Sequence, residues 1–60
     1  MRKITLEELE QARRVLAAKR YACADGLLQD ALEIAEAIIS ETIRECKEKH
    51  LYYVRLEELT

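Results

Sequence analysis

The chain has 60 residues, a net charge of −2 and 37% charged side chains, and half of its residues are apolar. So short a chain makes one domain, residues 1–60, burying only about 60% of its unfolded surface and marginal by itself; the apolar half excludes a disordered tail. One Gly, no Pro and three Tyr as the only aromatics favour long helices over turns, leave a thin core, and point to support from a second chain.

The first residues form a short basic lead. Thr5-Leu6-Glu7-Glu8 fits the capping box, in which a Thr hydroxyl accepts from the amide three residues on and the Glu side chain reaches back. Ile4 is placed to staple onto Leu9. The first helix is expected from Leu6 to about Lys19, with Leu6, Leu9, Ala12 and Leu16 on one narrow face. The stretch RYACAD at 20–25 admits two readings. Either the helix stops near Lys19 with Tyr21 and Ala22 tucked inward, or it continues to about Cys23 and turns at Asp25-Gly26.

Asp25 to His50 reads as one helix of about seven turns. Leu28, Leu32, Ala35, Ile39, Ile43 and Cys46 form one stripe, and Leu27, Ala31, Ile34 and Ile38 a second beside it. Together they exceed the narrow seam of a two-stranded coiled coil, so this helix needs at least two neighbours. The second stripe turns polar at Glu41 and Glu45, which predicts the deeper burial in the first half. After His50, Leu51 to Val54 is extended in character, with one of Tyr52 and Tyr53 expected inward. Residues 55–60 can add one helical turn, with Leu56 and Leu59 toward the core.

The fold class expected is therefore all-α, as an obligate homodimer. The expected dimer core is Leu27, Leu28, Ala31, Leu32, Ala35, Ile38, Ile39, Ile43, Tyr52 and Val54. One architecture comes from a resemblance. The order of elements, the central stretch ADGLLQDALEIAEAIISETIRECKEKH and the later VRLEEL resemble the histone fold in its minimal prokaryotic form, with a clipped third helix. The resemblance implies two chains clasped head to tail, the first loop of each beside the second loop of the other, and DNA contact through the first helix and loop. The sequence departs from that pattern at HLYYV, which lacks the family's Arg-Thr pair and preceding Gly. The alternative architecture is a helical hairpin that dimerises into a four-helix bundle. The two differ in the connection at 20–26 and in whether residues 51–54 pair across chains.

Charge is unevenly spread. Residues 1–22 carry six Lys/Arg against three Glu, and residues 23–60 carry four against nine acids. Arg13, Arg14, Lys19 and Arg20 are thus the candidate nucleic-acid contacts, with the ordinary reading a solvated helix face. A helical protein-interaction module or small regulator is the other function class. Cys46 and His50 stand four apart, which suits a metal on a helix face, but the remaining ligands of a structural site are missing. The glutamates at 33, 36 and 41 lie on the polar arc. Neither a phosphate loop nor a nucleophile-base set is present, so no enzyme, cofactor or small-molecule substrate is expected. Two cysteines and no membrane-length apolar run predict a cytoplasmic protein with free thiols and no membrane partner.

Overall fold

The computed structural model describes residues 2–59, with the backbone alone at residues 58 and 59. A strand β1, Lys3–Thr5, leads into helix α1, Leu6–Ala22; helix α2, Gly26–Glu48, returns beside it; a strand β2, Tyr53–Arg55, and a 3₁₀ turn, Leu56–Leu59, complete the order. The chain folds as a helical hairpin whose two ends are tied by a two-stranded antiparallel ribbon.

The start of α1 follows the capping box. Glu8 N–H donates to Thr5 Oγ1 at 3.1 Å, and Thr5 N–H donates to Glu8 Oε1 at 3.1 Å. These two bonds satisfy two of the amides a helix start leaves open. They also favour the charged carboxylate, so the Thr5 backbone and hydroxyl hold Glu8 below its ordinary pKa. Ile4 packs on the cluster that contains Leu9, as a staple does.

The longer of the two readings of the connection is the one the chain adopts. Helix α1 continues to Ala22, and only Cys23, Ala24 and Asp25 separate the helices. Tyr21 and Ala22 are exposed rather than tucked inward, and the Arg20 guanidinium lies over the Tyr21 ring at 5.0 Å. Asp25 is the N-cap of α2, its Oδ1 accepting from Leu28 N–H at 3.1 Å. Gly26 opens the helix without a positive φ, so the turn does not depend on glycine. Gln29 Nε2 donates back to Cys23 O at 2.6 Å and to Arg20 O at 3.4 Å. The first closes a carbonyl just past the end of α1, and the second adds to the bond that Arg20 O already accepts from Cys23 N–H at 3.3 Å.

At its far end α2 stops at Glu48 rather than running to His50. Leu51 N–H donates to Cys46 O at 2.8 Å and His50 N–H to Lys47 O at 3.3 Å, with His50 at φ 57. This is a Schellman motif with histidine in the left-handed position that glycine usually fills. It lifts the chain off the helix axis and aims it at β1.

The ribbon pairs Lys3 with Arg55, Ile4 with Val54 and Thr5 with Tyr53. Leu6 N–H to Tyr52 O at 2.9 Å and Leu56 N–H to Arg2 O at 3.2 Å extend it at both ends. A two-stranded ribbon is marginal alone; here Val54 is buried and Ile4 packs against the same cluster. Tyr52 and Tyr53 both face outward, with Val54 the inward residue of β2. Lys3 Nζ sits 4.8 Å from the Tyr53 ring centre, which relieves the placing of two cations opposite each other in the register.

The core is Leu9, Ile43, Cys46 and Val54, with Ile4, Leu6 and Ile39 packed against it. It sits at the ribbon end. The depth expected in the first half of α2 is therefore reversed within the chain. The reason is that ribbon and Leu9 cover the second half, while the first half faces only the last turns of α1. Leu56 is exposed, and the side chain of Leu59 lies outside the described residues.

Candidate functional site

Two grooves run between the helices on opposite sides of the hairpin. The first is polar, lined by Arg20, Glu33, Glu36, Ala37 and Ser40. Arg20 Nε meets Glu36 Oε2 at 2.8 Å across it, both side chains being partly shielded. The Glu36 hydrogen bond and charge raise the Arg20 pKa above its ordinary value. Toward the ribbon, Lys47 Nζ lies 3.4 Å from Glu10 Oε1. This side of the hairpin is laced shut by ion pairs between α1 and α2.

The other groove is lined by Lys19, Ala22, Cys23, Leu28 and Leu32. It continues into the second stripe of α2. Leu27 is 82% exposed, Leu28 52%, Ile34 62% and Ile38 48%. Val15, four residues before Lys19 on α1, adds to the same open side. Isolated exposed apolar residues need no explanation, but a continuous face of large ones marks an interaction surface.

The molecule is also more open than a compact chain of its mass. A folded 7.0 kDa chain is expected to expose about 4,000 Å², and this one exposes 4717 Å². The excess, roughly 700 Å² on that scaling, goes with the elongated shape of the hairpin, 37 × 18 × 15 Å. The radius of gyration is 12.2 Å, against about 10 Å for a compact chain of this length.

The residues expected at a dimer core divide into four sets. Leu27, Leu28, Ala31 and Ile38 are open on the apolar face, together with Ile34. Leu32, Ala35 and Ile39 are half-buried behind them. Ile43 and Val54 belong instead to the core of the single chain, because the ribbon closes over them. Tyr52 is exposed at the ribbon end beside Leu6, Glu7 and Glu10.

The four candidate nucleic-acid contacts do not converge. Arg20 is held by Glu36. Arg14 Nη1 donates to Gln11 Oε1 at 3.4 Å. Lys19 stands on the rim of the apolar groove, and Arg13 is exposed on α1. At about 100° per residue, Arg14 and Lys19 project roughly 140° apart around the helix. Only Arg13 and Lys19 among the four make neither a side-chain hydrogen bond nor an ion pair within the described residues.

Cys46 is sealed in the core and His50 lies beyond the helix end, so their four-residue spacing does not place them on one helix face. Among the described residues, no group of three or more His, Cys, Asp or Glu side chains is placed to hold a metal ion. No helix there is long and apolar enough to cross a membrane. Residues that sequence reasoning did not single out are Gln29 and the Arg20–Glu36 and Glu10–Lys47 pairs. Their signal lies in which faces meet across the hairpin, which no local pattern carries. Compared with known proteins, the chain matches no family model, no curated sequence and no solved structure.

Proposed function

We propose that this chain is a helical interaction module that works as a homodimer, closed through the apolar face of the hairpin. The observation that carries the reading is the unbroken exposed stripe Leu27, Ala31, Ile34, Ile38. Water contact on that stripe costs about 25 cal/mol for every Å² of apolar surface left uncovered. Two hairpins packed by these faces form a four-helix bundle. The three-residue connection and the pairing of residues 53–55 with residues 3–5 of the same chain support this arrangement over a histone-like handshake, which would engage that segment with a second chain. The free thiols fit a reducing compartment such as the cytoplasm. In the dimer, the ion-paired side and the ribbon end with Tyr52 remain open for a further protein partner.

The test is the thermal midpoint as a function of concentration. Unfolding that is linked to dissociation makes the midpoint fall on dilution. A hundredfold dilution removes about 2.7 kcal/mol, which for two chains corresponds to about 10 °C. A midpoint that does not move would overturn the obligate dimer.

A second reading, DNA binding, rests on Arg13, exposed and unpaired next to Arg14, a pair that dimerisation doubles. Here fluorescence anisotropy should show affinity falling steeply between about 50 and 200 mM salt, with a slope that Arg13→Ala and Arg14→Ala flatten. Absence of binding at the lower salt removes this reading and leaves the interaction module untouched.

A further inference from the structure

The apolar stripe bears on how two chains would pair as well as on whether they do. Leu27, Ala31, Ile34 and Ile38 follow one another at spacings of four, three and four, the seam pattern of a helix packed lengthwise on another helix. The same progression continues to Glu41 and then Glu45, both exposed. Four apolar positions are thus followed by two acids on one line.

That order discriminates between the two ways of pairing α2 with its copy. In a parallel pair each residue meets itself. Glu41 would then face Glu41 of the second copy and Glu45 would face Glu45, placing like charges in the seam and drawing Glu41 from its 2.9 Å ion pair with Arg44. In an antiparallel pair centred between Ala31 and Ile34, Leu27 meets Ile38 of the second copy and Ala31 meets its Ile34. All four apolar positions are then matched, and both acids lie beyond the overlap. Glu41 is carried toward the connection of the second copy, where Lys19 stands on the rim of the same face. Asp25, the acid at that connection, is turned to its capping bond with Leu28. Antiparallel helix dipoles also attract where parallel ones repel.

We infer that the partner on this face is a second copy of the chain, and that the two α2 helices pair antiparallel with Leu27 opposite Ile38 and Ala31 opposite Ile34. The inference rests on the homodimer reading above. The resulting interface is isologous, with its twofold axis crossing α2 near residues 32 and 33, so it closes at two chains.

Cysteine cross-linking tests it. In a Cys23→Ser background, with Cys46 enclosed in the core, Leu27→Cys and Ile38→Cys are made separately, their helix content is checked by circular dichroism, and the proteins are refolded singly or as a mixture before mild oxidation. Both positions are exposed in the protomer, so the hairpin does not need them to fold. The antiparallel register puts two Ile38 positions about 16 Å apart along the axis, from a rise of about 1.5 Å per residue. A disulfide needs Cα atoms within about 7 Å. The expected result is covalent dimer from the mixture and essentially none from either variant alone. Covalent dimer from each variant alone would overturn the antiparallel register while leaving the homodimer. A Cys23→Ser protein that sediments as a dimer but cross-links in none of the three samples would place the interface off this stripe. A folded monomer in sedimentation would overturn the homodimer reading itself and assign the face to a different protein.

Discussion

Leu9→Ala should leave the chain largely unfolded at 25 °C. Leu9 is among the most completely buried side chains, and it lies where α1, the second half of α2 and the ribbon meet. Removing a buried leucine side chain down to its Cβ costs about 2 to 5 kcal/mol, through lost transfer energy and the cavity left behind. A chain of this size has a total stability of only about 3 to 5 kcal/mol from a single core. The surroundings cannot collapse into the gap, since Ile43 and Cys46 are fixed on α2 and Val54 on the ribbon. Helicity measured by circular dichroism should therefore fall to a small fraction of the parent value. A urea midpoint implying a loss below about 1 kcal/mol would show that the core at the ribbon end does not hold the hairpin together.

Ile34→Glu combined with Ile38→Glu should have the opposite character, dissolving the proposed dimer while leaving the helix hydrogen bonds of each chain intact. Both side chains are open in the single chain, so a carboxylate at either site is solvated there. In the proposed dimer both lie within the seam. Central apolar residues of an interface contribute about 2 kcal/mol or more each on truncation. An isologous interface presents each substitution twice. The dissociation constant should rise by roughly a thousandfold or more, equivalent to about 4 kcal/mol. At low micromolar concentration the variant should sediment as one chain. An unchanged association constant would show that the stripe is not the interface.

Several parts of the fold were legible in the sequence because they are local. Thr5 and Glu8 are three residues apart, and the box they make depends on nothing else. Asp25 as an N-cap and the two stripes of α2 follow from spacing along one helix. The sequence leaves the end of α1 open between two readings. What carries the helix onward to Ala22 is tertiary, namely Glu36 holding Arg20 and Gln29 holding the Arg20 and Cys23 carbonyls. The ribbon is legible on one side only. Residues 53–55 have strand composition, whereas Lys3-Ile4-Thr5 is too short to show alternation and pairs with a segment about fifty residues away.

The depth of burial along α2 shows the same limit. The apolar arc is wider than the surface α1 and the ribbon cover, and spacing along one helix does not say which part of the arc its own chain reaches. The ribbon and Leu9 enclose Ile43, and Val54 joins them, so the protomer's core forms where the arc is narrowest. The broad first half is left open. Among the basic residues, charge counting treats Arg13, Arg14, Lys19 and Arg20 alike, and only the hairpin separates them, by enclosing Arg20 in an ion pair and setting Lys19 beside leucines.

Sedimentation equilibrium of the unmodified protein at low micromolar concentration tests the central claim most directly. Two chains of 7.0 kDa should travel as one species of twice that mass, with full helicity in the same sample. A folded species at the mass of a single chain would contradict it.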